Sequence, residues 1–339
     1  MKRKNSNAIL KDCFKYNAEF RSIYLDFKQK LKLHKNKTIA IAVSGGPDSL
    51  GLTALAKAYS YENICKIQYV LVNHNLRKNS SKEAEAVKKL LKKKNIHLNI
   101  LSNKNLITKN IQSEARVIRY DLISAFCKKK NIKKVVTAHH LEDQVETFFI
   151  RLSRGSGLHG LSSMRTITKI GPNLHLVRPL LNVKKNQLIK IAKSIFGKFF
   201  KDPTNKDKKY LRTRIRKLKN ILEKSGINYD RITQSINNLA SSRDTLDVYL
   251  KDSYNSLIKK RNKKIIIKLD DFNSLNLEMK IRFTQKAIKD LTGSYYTQRT
   301  KKIVNLIRNI ETNKNNKNSL GKCIILREKG LITLQKVKI

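Results

Sequence analysis

The segment Ser44-Gly45-Gly46-Pro47-Asp48-Ser49 lies between an apolar run and a helical pattern. Its two glycines allow the backbone to approach an anion closely, and the start of the following helix offers N–H donors and the positive end of the helix dipole. Ser44 and Ser49 add hydroxyl donors, and the Asp48 carboxylate can hold Mg²⁺ against phosphate oxygens. The segment predicts a nucleotide-phosphate loop, with a tight turn capped by Asp48 as the alternative.

A second group of polar residues lies in the segment TAHHLEDQVET, residues 137–147, where a predicted strand gives way to a helix. Asp143 and Glu146 are three residues apart, so both carboxylates lie on one helix face and can share one Mg²⁺ ion. His139 or His140 can stabilise charge that develops on a phosphate. A satisfied structural pair is the alternative for the two histidines.

Basic side chains occur near two further predicted elements. Arg116 and Arg119 are three residues apart on a predicted helix, so together they can bind a pyrophosphate or a phosphodiester, although a solvated ion-pairing face is the alternative. His74 and Arg77 follow the predicted second strand. Because ligands of an open parallel sheet bind beyond the carboxyl ends of its strands, we expect both residues to contact the nucleotide.

These residues are positioned by alternating β-type and helical runs. Strands are predicted at Thr38–Val43, Ile67–Asn73, His97–Leu101 and Lys134–Ala138. Helices are predicted to follow Asp48, Ser81, Ile111 and Leu141. The alternation predicts an α/β fold in which a parallel sheet is covered by helices.

The second half of the chain has a different pattern. Residues 221–310 are mainly helical by periodicity, and the tail CIILREKGLITLQ, broken by Lys329-Gly330, predicts a terminal β-hairpin. We predict a helical N-terminal extension over residues 1–35, a catalytic domain over 36–216 and a mainly helical region over 217–339.

The charge of the chain favours a nucleic-acid partner. It has 74 Lys and Arg against 25 Asp and Glu, a formal net charge of +49. Such a field attracts polyanions, although an AT-rich genome also enriches lysine. Arg212, Arg214 and Arg216 add local charge at the edge of the catalytic domain, and we expect them to contact RNA phosphates, with a solvated basic helix as the alternative.

The cysteines and the hydropathy exclude other classes of protein. Cys13, Cys65, Cys127 and Cys323 form no C-x-x-C pair, which argues against a zinc site, an iron–sulfur site or a disulfide framework. No apolar run approaches the roughly 20 residues that a membrane helix needs. We therefore expect a cytoplasmic protein with no membrane partner.

Several motifs occur in a fixed order between about Ile39 and Arg216. They are SGGPDS, VNHNLR, QSEARVIRY, TAHHLEDQVET, RLSRGSGLHGL, RPLL and DPTN with the three arginines after it. In content and order they resemble the tRNA(Ile)-lysidine synthases, a family of N-type ATP pyrophosphatases, or PP-loop proteins. Asn73 departs from an aspartate that is also common in related enzymes. The resemblance implies an adenine nucleotide alpha hydrolase-like domain that uses ATP and Mg²⁺.

By this resemblance, the enzyme joins free lysine to the cytidine at the first anticodon position of an isoleucine tRNA with the anticodon CAU. The cytidine O2 attacks the α-phosphate of ATP and pyrophosphate leaves, then the lysine amine attacks C2 and AMP departs. The C-terminal region is expected to hold the tRNA. The catalytic candidates are Asp48, His139, Asp143, Glu146 and Arg116, of which Asp48, Asp143 and Glu146 are also the Mg²⁺ candidates.

Three other functions compete with this interpretation. A tRNA 2-thiolating enzyme can use the same ATP loop, but its sulfur transfer is expected to need paired cysteines. An amidotransferase synthetase would add a glutaminase domain or a different downstream pattern. A non-catalytic RNA-binding protein explains the charge but neither the glycine loop nor the ordered carboxylates, and pyrophosphate release from ATP separates it from the enzymes. The sequence leaves a homodimer open.

Overall fold

The computed structural model describes residues 13–32, 38–63, 65–76, 79–103, 111–171, 173–200, 211–294, 298–312 and 316–337. By contacts the chain divides into two compact units, residues 1–239 and 240–339. Within the described residues, no helix is both long and apolar enough to cross a membrane.

The first unit contains a sheet and its covering helices. Its elements are, in chain order, α1 (Ala18–Lys32), β1 (Thr38–Val43), α2 (Pro47–Glu62), β2 (Lys66–Asn73), α3 (Ser80–Lys92), β3 (Leu98–Ser102), α4 (Ile111–Lys129), β4 (Lys134–Val136), α5 (Leu141–Leu152), α6 (Leu158–Leu161), β5 (Ile167–Lys169), β6 (His175–Val177), α7 (Lys185–Phe196) and α8 (Leu211–Lys224). A longer helix, α9 (Tyr229–Leu257), begins in this unit and ends in the second.

The sheet of this unit has six strands in the order β3-β2-β1-β4-β6-β5. The pairs β1–β2, β1–β4, β2–β3 and β4–β6 are parallel, whereas β5 pairs antiparallel with β6. The predicted α/β fold with a parallel sheet is confirmed, and each of the four predicted strands is present within a few residues of its expected bounds. The sequence did not predict β5 and β6. The domain boundaries at 35/36 and 216/217 stay predictions.

Side chains of β1 alternate between two apolar layers, as the two-residue period of a strand requires. Ile39 and Ile41 are buried in one layer together with Leu50 of α2, whereas Ala40 is buried in another with Ile123 of α4. Burial of a large aliphatic side chain typically stabilises a fold by about 1.5–3 kcal/mol. The strand therefore gives a rigid base to the loop that follows it.

Helices α2 and α7 pack closely at Gly51. A Cβ atom at this position would lie 3.1 Å from the carbonyl oxygen of Leu188, and the Leu188 side chain is fully buried. A larger residue at Gly51 would therefore force the two helices apart. Because α2 begins at the glycine loop, this contact also fixes the orientation of the loop.

Residues 240–339 form an antiparallel sheet with helices. The elements after α9 are β7 (Ile258–Arg261), β8 (Lys264–Lys268), α10 (Leu269–Asn273), α11 (Leu277–Thr292), α12 (Thr300–Thr312), β9 (Asn316–Leu320), β10 (Cys323–Glu328) and β11 (Leu331–Lys336). The strands have the order β7-β8-β11-β10-β9. The predicted terminal hairpin is confirmed as β10 and β11, whose turn residues Lys329 and Gly330 both have positive φ. Besides the helices and the hairpin that the sequence predicted, this region contains strands β7, β8 and β9.

Candidate active site

The loop from Ser44 to Ser49 leaves the carboxyl end of β1 and enters α2. Gly45 has a φ of +81° and a Cβ atom there would lie 2.5 Å from Val87 Cγ2, so both the backbone and the space require glycine. The Ser44 amide and hydroxyl groups donate to Ser49 Oγ at 3.1 Å each, and Ser49 Oγ donates to Gly46 O at 3.0 Å. The Ser49 hydroxyl therefore holds the shape of the loop, a role the sequence did not predict.

The start of α2 suits a bound anion. Gly46 is the N-cap residue in an extended conformation, and it has no side chain with which to cap the first turn. Pro47 occupies the first turn, where its fixed φ suits a helix and its missing N–H costs no hydrogen bond. The backbone N–H groups of such a turn and the helix dipole together favour a phosphate.

Asp48 presents one free carboxylate oxygen in this turn. Its Oδ1 atom is buried and has no hydrogen-bond partner among the described residues, whereas its Oδ2 atom lies 3.7 Å from His140 Nε2. No group of three or more His, Cys, Asp or Glu side chains in the described segments is arranged to hold a metal ion. Mg²⁺ commonly takes only one or two protein carboxylates and completes its shell with water and substrate phosphates. Asp48 therefore fits a single protein ligand to Mg²⁺.

His140 lies at the centre of three carboxylates and is only 2% exposed. Its Nδ1 is 3.0 Å from Glu142 Oε2, and its Nε2 is 3.4 Å from Asp143 Oδ2 as well as 3.7 Å from Asp48 Oδ2. Burial alone would lower the pKa of His140, but the hydrogen bonds and charges of these carboxylates outweigh it and raise the pKa to about 10. The imidazole is therefore a buried cation near neutral pH.

Two of the three acidic neighbours of His140, Glu142 and Asp143, are held as anions. Burial alone would raise the pKa of Glu142, but the hydrogen bond to His140 outweighs it and keeps the pKa below its ordinary value. Glu142 Oε2 also accepts the backbone N–H of Lys185 at 2.9 Å, at the start of α7. For Asp143 the charges of His140 and Arg212 likewise overcome burial and lower the pKa.

His139 has the opposite electrostatic environment. Burial lowers its pKa to about 3. The charge of Asp143 raises the pKa, whereas the charges of Arg178 and Arg116 lower it further. Its Nδ1 lies 2.9 Å from Thr137 Oγ1. The ring is therefore neutral at physiological pH, and it can act on a phosphate through a hydrogen bond and not through a charge.

Glu146, predicted from the sequence to bind Mg²⁺, lies between two arginines. Its Oε2 accepts from Arg212 Nε at 2.6 Å and its Oε1 from Arg216 Nε at 2.5 Å. Arg212 also lies 3.3 Å from Asp143 Oδ1. Two of the three arginines predicted to contact RNA thus face the carboxylates of α5, whereas Arg214 is exposed on another side of α8.

The predicted arginine pair on α4 is divided between two contacts. Arg116 lies over the ring of Tyr120 at 5.2 Å from its centre. Arg119 Nε donates to His74 Nε2 at 3.4 Å, and burial together with this arginine lowers the pKa of His74 to about 4. Arg77 lies outside the described residues, as does the whole DPTN motif at 202–205.

Comparisons with known proteins agree with this geometry. Residues 18–222 match the family model of the PP-loop domain. A tRNA(Ile)-lysidine synthase from Wolbachia pipientis is 34% identical over 295 residues, which cover 86% of this chain and 68% of that protein. The tRNA(Ile)-lysidine synthase of Zymomonas mobilis is 31% identical over 260 residues, 76% of each chain. The chain belongs to the tRNA(Ile)-lysidine synthase family. A relative from Orientia tsutsugamushi with the same name is 40% identical over 185 residues, 54% of this chain and 42% of that protein.

The fold of this lysidine synthase family member is also found among solved structures. The U34-tRNA thiolase NcsA from Methanococcus maripaludis has a TM-score of 0.54 and 19% identity, over 67% of this chain and 80% of that one. At this identity the likeness concerns the fold alone.

Within this tRNA(Ile)-lysidine synthase family member, the structure adds Glu142 to the predicted site and gives a definite position to His140, which the sequence offered only as an alternative to His139. His140 and Glu142 link the glycine loop to α5 and α7. The available signal was the spacing of HHLED, in which an acidic residue falls two and three positions after His140. That spacing permits a cap at the start of a helix, and indeed Asp143 Oδ2 accepts the backbone N–H of His140 at 3.2 Å.

Proposed function

We propose that this chain uses ATP to join lysine to C2 of the cytidine at the first anticodon position of isoleucine tRNA with the anticodon CAU. The supporting observation is a glycine loop at the end of β1 that places a buried Asp48 oxygen, unpaired within the described residues, beside the start of a helix. The chain belongs to a family of enzymes that carry this activity in their name.

The reaction has two steps that share one site. In the first, cytidine O2 attacks the α-phosphate, the bond to the bridging oxygen breaks and pyrophosphate leaves. In the second, the lysine ε-amine attacks C2, loses a proton and expels AMP, which keeps the former O2 oxygen. A site that excludes water protects the adenylated base from hydrolysis between the steps.

The side chains have separable roles in this proposal. Mg²⁺ would offset charge on the triphosphate, and Asp48 would hold it through the buried Oδ1 atom. The neutral His139 donates a hydrogen bond to the α-phosphate as charge develops there. Arg116 contributes a positive charge near the leaving group. Asp143 and Glu146 stay predicted Mg²⁺ ligands, although Glu146 is supported more strongly as the partner of two arginines.

The RNA partner is supported by charge. The formal net charge of +49 favours a polyanion, and Arg214 is exposed on the helix whose other arginines anchor it to α5. An anticodon loop is a suitable target because its unstacked bases are open to edge contacts. The cytoplasmic location and a homodimer stay predictions.

The proposal is tested by incubating the protein with ATP, isotopically labelled lysine and isoleucine tRNA, followed by mass spectrometry of the nucleosides. We expect labelled lysine on one cytidine and one pyrophosphate released for each modification. Pyrophosphate release with sulfur in place of lysine would support a thiolating enzyme instead. Tight tRNA binding without any pyrophosphate would leave a non-catalytic RNA-binding protein and contradict the proposal.

A further inference from the structure

A chain of polar contacts runs from the glycine loop to the start of α7. Asp48 Oδ2 lies 3.7 Å from His140 Nε2, His140 Nδ1 lies 3.0 Å from Glu142 Oε2, and Glu142 Oε2 accepts the backbone N–H of Lys185 at 2.9 Å. Asp48, at one end of this series of contacts, is the candidate ligand of Mg²⁺. The backbone of Lys185, at the other end, is positioned by the packing of α7.

The geometry gives His140 a single orientation. Both ring nitrogens face carboxylate oxygens, so the ring donates on both sides, whereas a half-turn about the Cβ–Cγ bond would put ring carbons in the place of the nitrogens. The backbone N–H of His140 is held in turn by Asp143 Oδ2 at 3.2 Å. A ring fixed at Nδ1 and at its own backbone presents Nε2 at one place.

The position of His140 distinguishes the two oxygens of the Asp48 carboxylate. Oδ2 faces the imidazole, and this leaves Oδ1 as the oxygen without a hydrogen-bond partner in the described part of the chain. A carboxylate that must meet a metal ion and a phosphate needs such support, because small errors in the position of a catalytic group are costly. Glu142 supports the Asp48 carboxylate indirectly, because it contacts His140 and does not contact Asp48 in these interactions.

We propose that Glu142 is a positioning residue that acts through His140 to orient the Asp48 carboxylate toward Mg²⁺ and the phosphates of ATP. The inference rests on the proposed function to the extent that Asp48 contacts Mg²⁺–ATP. It adds Glu142, one turn of helix before Glu146, and His140, the N-cap residue of the same helix, to the residues that determine how well the site uses the metal.

The test compares pyrophosphate release by the full chain with ATP and isoleucine tRNA over a range of Mg²⁺ concentrations. Glu142→Gln keeps the shape of the side chain but removes the charge. We expect it to raise the Mg²⁺ concentration for half-maximal rate about tenfold, the loss expected for one charge-assisted hydrogen bond. The affinity for tRNA should not change.

Two variants of His140 sharpen the comparison. His140→Asn removes the donor that faces Asp48, whereas His140→Gln keeps a donor near the position of Nε2. We expect the Asn variant to need more Mg²⁺ than the Gln variant. Because Glu142 acts through His140, adding Glu142→Gln to His140→Asn should cause no further loss, as a coupled pair in a double-mutant cycle requires.

A matched control removes a carboxylate close by. Asp230 accepts from Lys184 Nζ at 2.9 Å and is exposed, so Asp230→Asn alters the same end of α7 without touching the chain of contacts. It should leave the Mg²⁺ requirement unchanged.

Three results would overturn the inference. One is a Glu142→Gln variant that melts like the unsubstituted chain and needs no more Mg²⁺. Another is a double variant whose losses multiply. The third is a loss of tRNA affinity and thermal stability in proportion to the loss of rate, which would make Glu142 structural. If the unsubstituted chain itself releases no pyrophosphate, the proposed function fails first, and the two failures are thus distinguishable.

Discussion

Arg216 and Glu146 form a contact in which the arginine Nε donates to Glu146 Oε1 at 2.5 Å. Arg212, one turn earlier on α8, donates to the other oxygen at 2.6 Å. Glu146 is 2% exposed, so the two guanidinium groups take the place of water around its carboxylate. The two arginines fix α8 to α5, the helix that carries Asp143. The basic helix α8 is thereby held next to the candidate site.

Glu146→Gln should therefore destabilise the protein. The substitution leaves two arginines without their countercharge, and we expect a loss of about 1–3 kcal/mol in the free energy of unfolding, reduced by the partial exposure of both arginines. Urea unfolding measures it. Glu223→Gln is the control, because Glu223 pairs with Lys219 on the surface of the same helix at 3.8 Å and should cost at most about 0.5 kcal/mol. Equal costs for the two variants would contradict a structural role for Glu146.

Asp48→Ala should abolish pyrophosphate release while tRNA binding is nearly retained. The substitution removes Oδ1, which is buried and has no hydrogen-bond partner in the described residues, together with Oδ2, which faces His140 at 3.7 Å, so it takes away the candidate metal ligand and one polar contact. The expected fall in rate is about a hundredfold or more. Rates come from a pyrophosphate assay and affinities from filter binding. A parallel loss of rate and tRNA affinity would mean that Asp48 serves the fold.

Arg214→Ala should weaken tRNA binding and flatten its salt dependence. Arg214 is exposed, whereas Arg212 and Arg216 face Glu146. A lost phosphate contact lowers the slope of log affinity against log salt by about one unit. ATP binding should not change, and Lys129→Ala, at an exposed site on α4, serves as the control. An unaltered slope for Arg214→Ala would show that this arginine contacts no phosphate.

The hairpin of β7 and β8 offers a separate test of RNA binding by the second unit. Arg261 pairs directly with Lys264 across the two strands, and like charges in that position destabilise a sheet. Replacing both with Gln should raise thermal stability slightly and lower tRNA affinity. If affinity stays constant, the two charges do not contact RNA.

The sequence predicted those parts of the fold that depend on local pattern. The apolar run of β1 and the glycines after it were sufficient, because a strand buried on both faces and a turn with positive φ each constrain residue type directly. Strand β8 was not predicted, since its lysines and isoleucines become a strand only through pairing with β11 more than sixty residues later, as in Ile265 with Leu334.

The candidate site shows the same division. The spacing of Asp143 and Glu146 correctly indicates one helix face, as their shared partner Arg212 shows. It does not reveal what lies opposite that face, because Arg212 is 66 residues away from Glu146 along the chain. Two adjacent histidines likewise gave no sign of which ring would be buried among carboxylates, so the fold was needed to distinguish His140 from His139.

The pH dependence of stability should report on His140. Its pKa is raised from 6.5 to about 10 in the folded protein, so its contribution is fully present below about pH 6.5 and is lost as the pH rises toward 10. Glu142 and Asp143 have lowered pKa values, so their contribution is present above their ordinary pKa values and is lost as the pH falls below them. The cluster should therefore stabilise the fold most between these limits, at mildly acidic pH.

The measurement is urea unfolding of the unsubstituted chain and of His140→Asn from pH 5 to pH 10. Other lysines and tyrosines that titrate near the upper end act on both proteins alike, so the difference between the two isolates His140. We expect a gap on the order of a few kcal/mol near pH 6 that narrows steadily as the pH rises. His97→Asn, at an exposed position, should follow the unsubstituted chain throughout. Parallel curves for His140→Asn and the unsubstituted chain would mean that the pKa of the imidazole is the same in the folded and unfolded states, because the gap changes with pH only where the two states bind different numbers of protons.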